Sequence, residues 1–171
     1  MPKRTRVIND PADLVPLLRM FSSGTYKKAL HELSTDWTTE QELEKLIGSD
    51  AGKSIEALQK CGLVESQWRM PEPGKTPDKE FHASYSRVQV NFQCGLDDLS
   101  DLIMIASAHE DSLQETTEKI LDEVKSGNTS LTGLCRVLNR EALFIKGVAK
   151  RSNELAVRGQ RIELAEERRV A

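Results

Sequence analysis

No run of apolar residues in this chain is longer than the five of "LIMIA" at 102–106. A membrane-spanning helix needs about 20, so a span is excluded. The opening "MPKRTR" lacks the apolar stretch of a secretory leader, and the expected location is the cytoplasm. Cysteine is scarce. Cys61, Cys94 and Cys135 form no Cys-x-x-Cys pair and leave an odd thiol, which argues against a disulfide framework. They read as small buried residues, with a redox switch as the other reading. A Gly-rich phosphate loop and a G-x-S-x-G elbow are both missing, and His31, His82 and His109 lie far apart without a nucleophile motif nearby. No enzyme, cofactor or metal is expected.

The chain also lacks an excess of positive charge, its net charge being −3 at neutral pH. That average hides a strong partition. Residues 1–95 are neutral, 96–126 carry −7 and 129–161 carry +5. Nucleic-acid affinity follows local basic patches that release counterions, so the total does not exclude it.

What the sequence does contain is a sharply punctuated middle. In "SDAGKSIEALQKCGLVES", Ala51, Ile55 and Leu58 recur at helical spacing, Ser49 is a natural N-cap and Gly62 a stop. The helix so predicted exposes Lys53, Ser54, Glu56 and Lys60. Upstream, "TTEQELEKLIG" predicts another short helix, with Thr38 and Gln41 at capping-box spacing, a stripe of Leu43, Leu46 and Ile47, and Gly48 to end it. Two short helices joined by Gly-Ser-Asp read as a helix-turn-helix. Downstream, "GLVESQWRM" has strand character, "PEPGKTPDK" is a proline-rich loop, and "EFHASYSRVQV" alternates again, so a hairpin with a lysine-bearing tip follows. The expected fold is mainly α (α+β), a winged helix-turn-helix.

With those residues in view, the chain resembles the ArsR-like and MarR-like winged-helix transcription regulators, the archaeal ones above all. The resemblance runs over about residues 10 to 93, and its most specific piece is Leu58, three residues, then Gly62-Leu63-Val64. It implies a homodimer on double-stranded DNA, with the recognition helix in the major groove and the wing on the backbone. Metal-sensing ArsR proteins carry a cysteine pair on the first helix of the motif. The matching "TEQELEKLIG" has none, so metal sensing by that route is not expected; an effector of unidentified chemistry is left open. The DNA-contacting residues expected are Ser49, Lys53, Ser54 and Lys60 on the helix and Arg69, Lys75 and Lys79 on the wing. The competing reading is a winged-helix module for protein contacts, favoured by Asp50 and Glu56 on the same helix face.

Beyond a DNA-binding domain at 1–95, "GLDDLSDLIMIASAHEDSLQETTEKILDEVKSGN" predicts one long acidic helix over 96–127. Its seam is Leu99, Ile103, Ala106, Glu110, Leu113, Thr117, Ile120 and Val124. A dimerisation helix and a stripe packing on its own domain are both consistent with it. His109, Glu110 and Asp111 invite a metal reading, but H-E-x-x-H fails at Leu113 and a solvated polar turn is the plainer one. The basic remainder, 128–171, predicts a small helix-turn-helix, with Leu131, Leu134 and Leu138 on one helix, Phe144, Ile145 and Val148 on the next and "NRE" between, then a hairpin through Leu155, Val157, Ile162 and Leu164. A single continuous helix is the alternative. Lys146, Lys150 and Arg151 are the expected phosphate contacts of this mini-domain.

Overall fold

In the computed structural model, which describes residues 4–165, the chain divides into two units: 4–8 with 19–91, and 9–18 with 92–165. The first unit is a winged helix. Helix α1 (Leu14–Phe21) ends in it, and α2 (Gly24–Thr35) buries Ala29 and Leu33. Strand β2 (Thr38–Thr39) leads into α3 (Glu40–Ile47), then α4 (Ala51–Lys60), then strands β3 (Val64–Trp68) and β4 (Lys79–Ala83). The three strands form an antiparallel sheet in the order β2-β4-β3, so the hairpin grows from a sheet anchored between α2 and α3.

Local chemistry explains these boundaries. The Thr39 hydroxyl accepts from the Glu42 amide while the Glu42 carboxylate accepts from the Thr39 amide, a full capping box one residue beyond the expected Thr38–Gln41 pair. Leu43 is fully buried, whereas Leu46, expected in the same stripe, is 60% exposed. At the other end of α4, the Leu63 amide bonds to Leu58 O and the Gly62 amide to Gln59 O, which is the double closure that needs a left-handed residue; Gly62 supplies it at φ +67. Asp50, not Ser49, occupies the N-cap position, and its side chain makes no cap bond.

The alternating run "EFHASYSRVQV" divides into two strands. After β4 the chain leaves the sheet, and β5 (Arg87–Val90) pairs in parallel with β1 (Thr5–Ile8), a strand that no local pattern announces. Parallel partners need a long crossover, and here most of the winged helix is that crossover.

The second unit gathers the first residues of α1, helices α5 (Leu96–Ser107), α6 (Glu110–Lys125), α7 (Leu131–Leu138) and α8 (Ala142–Arg151), and the hairpin of β6 (Leu155–Arg158) and β7 (Arg161–Leu164). Its core joins Val15, Leu102, Ile105, Ile120, Leu134, Ile145, Val148 and Ile162. The boundary expected between 127 and 128 therefore falls inside one core. The single long helix expected over 96–127 is also corrected: Ala108 and His109 are both extended, and two helices result. Thirty continuous residues would make a rod of about 45 Å, while α8 is about 15 Å long. Breaking the rod lets both pieces pack on α8. The expected seam is split accordingly. Ile103 is exposed, Leu99 is half-buried, Leu113 is half-buried against the core, and Ile120 and Val124 are buried in it. The helix-turn-helix and hairpin at 131–164 stand where the sequence put them. Among the described residues no helix is long and apolar enough to cross a membrane.

Candidate nucleic-acid interface

Helix α4 turns Ala51, Ser54, Ile55 and Leu58 into the first unit and leaves Lys53, Glu56 and Lys60 outside. Ser54 is thus a correction to the expected interface. It is fully buried, its hydroxyl satisfied by Asp50 O at 2.8 Å, the back-bond that lets a serine enter an apolar stripe. Ser49 is exposed in the turn before the helix. Lys60 is drawn to Glu56 at 3.1 Å, an exposed pair one helical turn apart. Lys53, in the N-terminal half of the helix, makes no hydrogen bond or ion pair among the described residues.

On the wing, Lys79 opens β4 and is exposed, and Lys75 sits at the tip in an exposed pair with Glu72 at 2.6 Å. Such pairs contribute little in water and yield readily to a phosphate.

Arg69, also expected to meet phosphate, is committed elsewhere. Its guanidinium donates to both oxygens of Glu42 (2.7 and 2.9 Å), to Glu80 (2.6 Å) and to Trp37 O (3.2 Å). Gln67 donates to the other Glu80 oxygen at 2.7 Å. The guanidinium fork matches two carboxylates at once, so the base of the wing is clamped to the capped end of α3. The signal legible in the sequence was Glu42 at the third position of α3; its second partner, far along the chain, was not.

The clamp sets an acid limit. The Arg69 guanidinium, followed by the Thr39 amide, holds the Glu42 carboxyl at about 2 against an ordinary 4.5, and Arg69 with Gln67 holds Glu80 below its usual value. A depressed carboxyl stabilises the fold above its unfolded pKa and ceases to do so as pH falls from about 4.5 toward 2. Arg69→Met should therefore lower the Tm most at neutral pH. The gap from wild type should close on acidification through that window, followed by circular dichroism. A gap independent of pH would mean that the charges of Glu42 and Glu80 contribute nothing through Arg69.

The basic groups expected in the tail are held by protein as well. Lys146 Nζ donates to Asp10 at 3.0 Å, Lys150 to Asp13, and Arg151 to the carbonyls of Ile105 and Ala108. Burial would raise the Asp10 carboxyl, but the Ala12 amide and Lys146 outweigh it and hold it below its usual range. These three are structural cations, and the sequence carried no local sign of their partners. The exposed basic groups Arg136 and Arg140 remain on the α7–α8 corner, Arg140 lying 4.7 Å over the Phe144 ring.

Cys61, Cys94 and Cys135 are free thiols, half-buried and not fully buried as expected. Burial pushes the Cys61 and Cys135 thiols up, which disfavours the reactive thiolate. Among the described residues no three His, Cys, Asp or Glu side chains come together in a way that could hold a metal.

The first unit thus leaves open the outer face of α4, with Lys53 and Lys60, and the wing tip with Lys75 and Lys79. One family model, described as ArsR transcriptional regulator, matches residues 8–166. No curated protein matches the chain.

Proposed function

The chain belongs to the ArsR family of DNA-binding transcriptional regulators, and we propose that it acts as a sequence-specific homodimer, α4 entering the major groove and the β3–β4 wing lying on the backbone. The observation that carries this reading is Lys53, exposed and without a hydrogen bond or ion pair among the described residues, on the N-terminal half of a helix whose opposite face is fully packed. Helices of this kind present that half to base edges. Lys60 lies further along the same face. The buried Ser54, the clamped Arg69 and the paired Lys146, Lys150 and Arg151 are left out of the interface.

Dimerisation is assigned to α5. Its inner face, Leu102, Ile105 and Ala106, is buried, yet Leu96, Ile103 and Met104 are 85, 50 and 55% exposed, with Leu99 beside them. A mainly apolar patch, with Ser100 and Ser107 among these side chains, on a helix this acidic elsewhere suits an isologous contact with a second copy.

Salt-titrated binding to genomic DNA fragments tests the proposal. One or a few fragments should be retained at salt that releases the rest, with a steep log–log slope. Uniform weak binding, or none, would leave a protein-interaction module.

The wing makes a separate prediction. Phosphate contacts position a protein without reading sequence. Replacing Lys75 and Lys79 by alanine should weaken specific and random duplex alike and flatten the salt slope by roughly one to two units, at about 0.9 per phosphate contact. Selective loss of the specific site would instead make the wing a reader of bases.

A further inference from the structure

The two units repeat one architecture. In the first the order is α2, strand β2 paired with the second strand of the hairpin, α3, α4, and the hairpin β3–β4. In the second it is α6, a bridge from Ser130 to Arg161 on the second strand of the hairpin, α7, α8, and the hairpin β6–β7. The repetition extends to detail. Helices α3 and α7 both have 8 residues, and α4 and α8 both have 10. The turns between them, 48–50 and 139–141, are equal in length and open on a residue of positive φ, Gly48 at +88 and Asn139 at +50. Each middle helix is capped by a hydroxyl accepting from its third amide, Thr39 from Glu42 and Ser130 from Gly133.

We infer that residues 110–164 form a second complete winged helix whose reading face has become a protein-docking face, with α5 of the same chain lying where the first module is open to DNA. The third, sixth and tenth residues of α4, all pointing outward, are Lys53, Glu56 and Lys60. The same positions of α8 are Phe144, Gly147 and Arg151. Phe144 and Gly147 are buried. A Cβ at Gly147 would stand 3.1 Å from Ile105 Cδ1, 3.2 Å from Leu102 Cδ2 and 3.5 Å from Val15 Cγ2, so the bare backbone is what admits α5 so closely. Arg151 then closes the contact by donating to two carbonyls at the end of α5, groups no helix can satisfy within itself.

The flanks of α8 are filled in the same way. Lys146 and Lys150 meet the carboxylates of Asp10 and Asp13, so acidic side chains of the chain occupy the cations that would otherwise attract phosphate. With Ile145, Val148 and Ala149 also in the core, no face of α8 is left for a groove. The consequence is a division of labour. One winged helix per chain reads DNA, and the other seats the helix whose outer side is the proposed dimer face.

The docking assignment stands on geometry; its DNA corollary rests on the proposed function, so two experiments on the full-length chain separate them. In hydrogen exchange, Gly147→Val should lower protection of the α5 amides by an order of magnitude or more while α3, α4 and the β3–β4 hairpin keep theirs. If Gly147→Val does not fold, Gly147→Ala reads the same exchange, since one methyl requires a shift of only a few tenths of an ångström. Unchanged protection of α5 in a folded variant overturns the docking. In salt-titrated binding to duplex DNA, the Lys146→Gln, Lys150→Gln double variant should keep the wild-type slope where Lys53→Gln gives a shallower one. A fall in slope for the double variant would make α8 a DNA-binding helix and overturn the inference. If the wild type binds no duplex, the proposed function fails, and the exchange result still decides whether α8 seats α5.

Discussion

Lys53→Glu is expected to reduce affinity for the specific DNA site by about 10- to 100-fold while leaving the Tm within a degree or two of wild type. A well-placed side chain at a base edge is worth about 1–3 kcal/mol of discrimination, and the reversed charge adds repulsion from the phosphates on either side of the groove. The fold should not notice, because Lys53 is exposed and makes no hydrogen bond or ion pair among the described residues. Surface changes of that kind usually alter stability by no more than about 0.5 kcal/mol. Lys60→Glu makes a useful companion, since Lys60 already faces Glu56 and the change also puts two acids one turn apart. Its cost in binding should be smaller and its cost in stability larger. If Lys53→Glu binds the specific site as tightly as wild type with its fold intact, α4 does not lie in the groove and the recognition assignment is withdrawn.

The elements that could be read from the sequence were those whose signals are local. Gly62 after Leu58, the three-residue breaks at 48–50 and 139–141, and the proline-rich wing tip announce themselves within a few residues, because each answers to a backbone requirement at that spot. The split of 96–127 carried no such mark. Neither glycine nor proline stands at Ala108-His109, and the break is held from outside, by Arg151 on the carbonyls of Ile105 and Ala108. Strand β1 was invisible for the same reason, since four residues gain strand geometry only from β5, some eighty positions away.

The candidate site divides along the same line. The exposure of Lys53 and Lys79 was recoverable because it follows from the period of a short amphipathic element, and that of Lys75 because it stands in the proline-rich loop between two strands. Ser54 was misplaced because it lies at the margin of the stripe, where a back-bonded hydroxyl can turn inward. Arg69, Lys146, Lys150 and Arg151 look like phosphate ligands to any count of charge. What assigns them to the fold is a set of partners up to 137 positions distant, Asp13 for Lys150 being the extreme. Of the basic excess of 129–161, Lys146, Lys150 and Arg151 are taken up inside the fold, while Arg136, Arg140, Arg158 and Arg161 stay exposed.

Ile103→Glu is expected to turn the proposed dimer into a monomer. Leu96, Ile103 and Met104 are exposed on α5 outside its buried stripe of Leu102, Ile105 and Ala106, with the half-buried Leu99 at the edge, and in a two-fold contact each would face the same patch of its mate. A glutamate at position 103 would then bring two like charges together in an apolar contact, where an unpaired buried charge costs several kcal/mol. In the monomer the residue is 50% exposed, so the same substitution should cost the isolated fold little. Sedimentation at low micromolar concentration should show a single chain. Affinity for a two-half-site operator should fall much further than affinity for random duplex, because the second recognition helix is no longer delivered at high effective concentration. Leu113→Glu separates this face from the rest of the expected seam. Leu113 packs against the core of its own unit, so that variant should lower the Tm by several degrees and remain a dimer. If Ile103→Glu stays dimeric, the outer face of α5 does not join two copies; if Leu113→Glu is the one that dissociates, the contact runs along α6 instead, and α5 is held only from within.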